Sequence, residues 1–254
     1  MEKIIIKNKM AIDKMRVAGN TLARLMHEIE SMVQPGISTY ELDDFFEKRM
    51  LQEGLMPVCK GYAGYKHATL ISVNDVVVHG IPSKEIILKS GDFVKIDVVG
   101  AYKSYCADMA RGFFVDEVSD TVKRLATTAQ RALDAAISKI APGVKLFDIS
   151  YSIQQIVEHE GFGIVRDFAG HGIGKAIHEG PTIPNYGQAG RGIPLQVGMT
   201  LAIEPMITEK SYKIRIMPDG WTAKTIDGGL AAHVEDTIVV TATGAEVLTR
   251  LSGQ

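Results

Sequence analysis

The stretch Val33-Gln34-Pro35-Gly36-Ile37 is written again, in related residues, as Ile140-Ala141-Pro142-Gly143-Val144, 107 residues further on. The offset holds on both sides of the turn. Backwards, Asp13 meets Asp120, Met15 meets Val122, Arg16 meets Lys123 and Met26 meets Leu133. Forwards, Tyr40 meets Phe147, Leu42 meets Ile149, Met50 meets Val157, and Glu53-Gly54 meets Glu160-Gly161. Gly91 still meets Gly198, and Asp97 meets Glu204, at the same spacing. One fixed offset across so many positions marks an internal duplication. The chain therefore reads as two related halves, about 10–115 and 117–250, within a single catalytic domain spanning 1–254, because no linker-like or low-complexity stretch divides them.

Each half repeats one order of elements. A long helix is expected from Asp13 to about Met32, and again from Asp120 to about Ile140, with Met15, Leu22, Leu25, Met26 and Ile29 at helical spacing. The Pro-Gly turn stops it. A second helix follows, over about Thr39–Glu53 and Phe147–Glu160, with Gly54 and Gly161 at the C-terminal stop. Strands come next, at Phe93–Val99, Cys106–Val115, Met199–Ile207 and Glu235–Val240, rich in β-branched residues. Helices grouped ahead of hairpin-spaced strands predict an α+β fold with a largely antiparallel sheet. A pseudo-twofold fold of this kind directs attention to the junction between its halves.

Composition narrows the classes of function. With 46% hydrophobic and 23% charged residues and a net charge of −2, the chain offers no basic surface for nucleic acid or an anionic membrane. No apolar run approaches the roughly 20 residues of a membrane span. The opening Met1-Glu2-Lys3-Ile4-Ile5-Ile6 lacks a signal-peptide core, so a cytoplasmic location is expected. Cys59 and Cys106 are too few for a disulfide framework, a reducing compartment disfavours a bridge between them, and Cys106 is read as a small, partly buried thiol.

The acids on the strands carry the chemistry. Asp97 interrupts Val94-Lys95-Ile96-Asp97-Val98-Val99, which otherwise reads as a buried strand, and Asp108 opens the next one. A four-residue turn centred on Tyr102-Lys103 would set Asp97 directly opposite Asp108, with Cβ atoms about 5 Å apart, where like charges repel. A shared proton, basic neighbours or bound cations must offset that repulsion. The second half repeats the arrangement with Glu204 in Leu201-Ala202-Ile203-Glu204-Pro205 and with Glu235 ahead of Asp236 and Ile238-Val239-Val240. Lone strand acids are usually solvated; acids paired at related places in two repeats are not the usual case. His171, set between Gly170 and Gly172, adds a neutral donor, and His178 follows before Glu179. His79 ends the apolar run Val76-Val77-Val78 and precedes Gly80-Ile81-Pro82, as a side chain projected from a strand end would. His27, His67 and His159 read as ordinary surface or satisfied core residues. Oxygen-rich ligation with one imidazole suits a pair of Co, Mn, Fe or Zn ions better than a closed structural zinc site.

These residues also match a family. His79-Gly80-Ile81-Pro82, Gly170-His171-Gly172-Ile173-Gly174 with His178-Glu179, Ile203-Glu204-Pro205-Met206, and the late Glu235 resemble the signatures of type I methionine aminopeptidases, in order and over nearly the whole chain. The resemblance implies the pita-bread fold: a curved antiparallel sheet covered by two pairs of helices. It implies two divalent ions held by Asp97, Asp108, His171, Glu204 and Glu235, with Asp108 and Glu235 bridging, Asp97 on one ion, and His171 and Glu204 on the other. Glu204 would serve as base, His178 would contact the scissile carbonyl, and His79 would assist the leaving amine. Cys59, Tyr62, Tyr65, Ile177 and Trp221 occupy the positions of the methionine pocket. The Asn74 carbonyl resembles one that helps hold a monovalent cation in some relatives. The implied partners are N-termini of nascent polypeptides, met at the ribosome or away from it, for a monomeric enzyme needing neither nucleic acid nor membrane.

The chain departs from the common pattern at Ala63, where many relatives carry His, at Ile177, where Phe is frequent, and at Asp236, where His is frequent. Glu235-Asp236-Thr237 is also similar to the Xaa-Pro aminopeptidases, which share the metal ligands and form the alternative reading. A non-catalytic binding protein on this scaffold would be expected to have lost ligands, and all five are present.

Overall fold

In the computed structural model, which describes residues 3–251, the repeated turn is a repeated conformation. Gly36 and Gly143 stand at φ +94° and +86°, in the left-handed region open to a residue without a Cβ. Each is closed the same way: the Gly36 N–H donates to the Leu88 carbonyl at 2.9 Å, and the Gly143 N–H to the Leu195 carbonyl at 2.9 Å. Those acceptors are themselves one repeat apart.

Four helices follow from local signals. Helix α1 spans Lys9–Ile29 and continues as a 3₁₀ turn over Glu30–Met32; it begins earlier than Asp13 because the Asn8 side chain caps it, accepting from the Ala11 N–H at 3.0 Å. Helix α2, Thr39–Gln52, opens with a Ser38–Glu41 capping box, and α3, Asp120–Ser138, with a Ser119 cap. Helix α4 covers Leu146–His159, so α2 and α4 begin and end at corresponding positions of the repeat.

The helices cover a nine-stranded sheet in which every strand pairing is antiparallel, as expected, and two small three-stranded sheets complete the fold. The core is duplicated too. Leu42, Phe46, Met50, Val94 and Ile96 are buried in the first half, and their counterparts Ile149, Ile153, Val157, Leu201 and Ile203 in the second. Each such buried side chain contributes about 1.5–3 kcal/mol by leaving water. Among the described residues, no helix is long and apolar enough to cross a membrane. Residues 1–2 and 252–254 of the expected 1–254 span lie outside the described residues.

Two strand expectations are corrected. The first hairpin, Phe93–Tyr102 with Tyr105–Phe114, turns on Lys103-Ser104 and pairs Tyr102 with Tyr105, so Asp97 faces Ala110 and Asp108 faces Val99. Both turn residues have positive φ, 46° and 66°, the geometry of a two-residue turn whose twist matches the flanking strands. The two acids are diagonal neighbours on one face rather than direct opposites. The expected single strand Met199–Ile207 is two, Thr200–Ile203 and Met206–Thr208, interrupted at Glu204-Pro205. Pro205 has no N–H for the ladder.

Candidate active site

The two halves meet where Tyr105–Phe114 pairs with Glu235–Val240, and that seam brings the acids into two adjacent rows. In the first row Asp97 faces Ala110, and Ala110 faces Glu235. The ladder on the other side pairs Asp236 with Ile203 and His233 with Met206, which sets Glu235 opposite Glu204. In the second row Asp108 is joined to Thr237, whose hydroxyl accepts from the Asp108 N–H at 2.9 Å and donates to its carbonyl at 2.8 Å. Thr237 pairs with Ala202, and Ala202 with His171. Side chains alternate along a strand, so the members of both rows share one face. All five expected ligands are thereby brought together.

Their electrostatics are those of a cation site. Asp97, Asp108, His171 and Glu235 are buried, and the Glu204 side chain is only 12% exposed. Burial pushes the Asp97 carboxyl up to about 7, and burial with the neighbouring carboxylates holds Asp108, Glu204 and Glu235 well above the usual range. Among the described residues, the only charge-bearing groups within ion-pair reach of these acids are His171 and His233. Asp108 Oδ1 and Glu235 Oε1 are buried without any hydrogen-bond partner. His171 Nδ1 lies 2.9 Å from the Gly172 carbonyl, which can only accept. The ring proton therefore sits on Nδ1, and the Nε2 lone pair faces Glu204 Oε1 at 3.4 Å and Asp108 Oδ2 at 3.9 Å. Burial lowers this imidazole to about 4, so it is a neutral donor. Orphaned carboxylate oxygens around a free imidazole nitrogen are a donor set that fits divalent metal ions.

A cavity of about 250 Å³ opens over this face. One end is the set of acids with His171; the other is apolar, with Cys59, Tyr65, Leu70, Phe168, Met206 and Trp221. Tyr65 is anchored by its hydroxyl on the Thr69 carbonyl at 2.8 Å, and its ring lies 4.8 Å from that of Trp221. Every expected pocket residue lines the cavity, including Tyr62 and Ile177. His79 is held in the left-handed region at φ 60°, with its ring 5.0 Å from Phe168, and burial lowers it to about 4. Such a φ on a residue with a Cβ is strain that the surroundings must impose. The chain presses flat on its neighbour at the next residue, where a Cβ on Gly80 would stand 2.1 Å from the Ile71 carbonyl oxygen. His178 sits at the open rim with Nδ1 3.0 Å from the Tyr62 hydroxyl and its ring 4.5 Å from His171.

Of the three departures, Ile177 lines the cavity and the other two lie outside it. Asp236 faces away from Glu235 and is fully buried between Arg111 at 2.6 Å and Arg250 at 2.6 Å, tying the C-terminal segment to the sheet. Arg111 also donates to the Glu235 carbonyl at 2.6 Å, so this pair steadies the ligand strand. Ala63 lies exposed at φ 45° in the Tyr62–Gly64 turn, outside the polar end of the cavity. The Asn74 carbonyl accepts from Lys95 Nζ at 2.9 Å and from the Ala231 N–H at 3.0 Å, and burial lowers that lysine to about 7. His67 pairs with Asp43 at 2.9 Å, away from the cavity. Seven lining residues had no part in the expected site, Phe168, Met206 and His233 among them. His233 had a readable signal, since it stands two residues before Glu235 and strand alternation puts both on one face.

Residues 13–242 match the model of metallopeptidase family M24. A methionine aminopeptidase of Clostridium acetobutylicum is 41% identical over 246 residues, covering 97% of this chain and 98% of that protein. The crystal structure of the Thermotoga maritima methionine aminopeptidase superposes with a TM-score of 0.97 at 42% identity, covering 98% of this chain and all of that one. The X-Pro aminopeptidase of the same organism shares the fold at a TM-score of 0.77 and 24% identity, but this chain spans only 63% of it.

Proposed function

The chain belongs to metallopeptidase family M24, among its methionine aminopeptidases, and from that premise we propose how its site releases an N-terminal methionine. Asp97, Asp108 and Glu235 would hold one divalent ion, and Asp108, His171, Glu204 and Glu235 the other. When bound, two such ions polarise the scissile carbonyl and acidify the attacking water. The chain's own groups do the rest. The Glu204 carboxylate, at the open side of the set, takes the proton of that water and returns it toward the leaving amine. The Tyr62 hydroxyl lies 3.0 Å from His178 Nδ1; donating there, it would leave the ring proton on Nε2 to bond the carbonyl oxygen as negative charge develops. His79, neutral and rigidly held, donates to the departing amide nitrogen.

The apolar end of the cavity suits an unbranched thioether, and its floor of Cys59, Tyr65 and Trp221 limits the substrate to one residue on the N-terminal side of the scissile bond. The preferred substrate is an N-terminal methionine followed by a small residue, on nascent polypeptides in the cytoplasm, and the working unit is a single catalytic domain of two halves acting as a monomer. The observation that carries the reading is the meeting of five acid and imidazole donors, two of their oxygens unpartnered, at the inner end of an apolar cavity. It is tested by offering metal-stripped protein, reloaded with Mn, Co or Fe, a Met-Ala-Ser peptide beside an Ala-Pro-Ala peptide. Metal-restored release of free Met alone is expected; cleavage of only the proline peptide would move the chain to the Xaa-Pro branch.

A further inference from the structure

The seam strand carries one more side chain into the site than the five-ligand set uses. His233 is 2% exposed, and its Nε2 is buried without a hydrogen-bond partner. That nitrogen lies 3.7 Å from Glu235 Oε2 and 4.0 Å from Glu204 Oε2. Both separations are too long for hydrogen bonds. They fall within the spacing of atoms that share one ion, because ligands each about 2.0–2.2 Å from a metal stand roughly 2.8–4.4 Å apart, according to the angle between them. Glu204, His233 and Glu235 each offer one such atom, all within 4.8 Å of one another.

The duplication supplies an independent argument. In the first half Asp108 stands opposite Val99; in the second, His233 stands opposite Met206. Val99 and Met206 are one repeat apart. His233 thus holds, in the second half, the register place that Asp108 holds in the first. A satisfied core histidine would have found a partner for Nε2, and this one has none.

We propose that His233 Nε2 is a sixth ligand of the metal centre, binding the ion on the Glu204 side, so that this ion takes two imidazoles, His171 and His233. The inference rests on the two-metal reading of the site. A nitrogen-richer donor set shifts the preference of that position toward Fe, Co or Zn and away from Mn.

The test uses the whole chain, stripped and reloaded with two equivalents of Co(II), and reads the proton spectrum in water, where each ligating imidazole N–H gives one strongly shifted, exchangeable line. Two lines are expected for the wild type and one for His233→Gln, with Co(II) affinity at one of the two sites weakened at least tenfold and the other unchanged. Two bound ions with a single imidazole line in the wild type would overturn the role of His233 while leaving the two-metal reading standing; that count needs no variant to fold. Failure of the wild type to bind cobalt would overturn both. Two lines in wild type and variant alike, with affinities within twofold, would show that the second imidazole is not His233.

Discussion

The hairpin that carries Asp97 and Asp108 closes in two residues, Lys103-Ser104. Its counterpart in the second half, which joins Thr200–Ile203 to Glu235–Val240, takes a detour through 209–230 instead. The detour is not idle. Its strand Ala223–Thr225 pairs with Val76–Val78 of the first half, and it carries Trp221 to within 6.3 Å of His79, ring to ring. The ligand-bearing strands have kept the repeat, whereas their connections have diverged: one hairpin is a bare support for acids, and the other folds over the first half to build the substrate pocket. On the proposed function, the strands that kept the repeat carry the equivalent acids Asp97 and Glu204 of the metal set, and the detour that did not keep it carries Trp221 of the methionine pocket.

That division can be broken in several places. The harshest is the seam. Glu235→Gln should remove a ligand common to both ions, so metal titration should show both weakened and turnover down by roughly 10³-fold or more, the scale of several kcal/mol of lost charge stabilisation. His178→Ala should lower kcat by about 10²–10³-fold, as loss of one donor to a developing oxyanion does, with metal content intact. Loss of metal in that variant would mean the histidine belongs to the ligand set instead. Trp221→Ala strikes only the detour: kcat/KM for a Met-Ala-Ser peptide should fall about 10–100-fold with ion binding unchanged, a pocket-scale penalty.

Milder tests address the shared part. The unfolded chain releases the Asp97 proton near 3.8 and the folded, metal-free protein near 7, so the stability this group contributes is complete below 3.8 and is lost as pH rises through 7. Stripped protein should therefore melt several degrees lower at pH 8 than at pH 5, at about 2–4 °C for each kcal/mol, and added metal should raise Tm more at pH 8. A stripped protein more stable at pH 8 would contradict the stated electrostatics. Last, Gly36→Ala and Gly143→Ala meet no atom within 4 Å at the new Cβ, so each costs only its left-handed backbone, about 1–2 kcal/mol. Equal shifts in urea midpoint would sharpen the equivalence of the halves; one large and one negligible shift would break it.

Much of this was legible in the chain because the repeat is marked by residues with few alternatives. Gly36, Gly54 and Gly91 and their partners Gly143, Gly161 and Gly198 all stand at positive φ, and such positions resist substitution. The four acids that meet at the seam were legible for a related reason: an acid set against an apolar strand run has few explanations. The register was not, because Lys103 and Ser104 adopt positive φ without being Gly or Asn, the residues that usually announce a two-residue turn. His233 escaped because it lies in Ala231–His233, a three-residue strand beyond the run that identified Glu235. The role of the detour was invisible locally, since what Trp221 touches depends on strands 140 residues earlier in the chain.

On the proposed function, one metal site is assembled from both halves through residues at their seam. Calorimetric titration of stripped protein with Mn(II) tests it most directly, comparing wild type, Asp97→Asn and Glu235→Gln. The account predicts two ions for the wild type, one retained at near-native affinity in Asp97→Asn, and neither retained in Glu235→Gln. Two ions bound at native affinity by Glu235→Gln would contradict it.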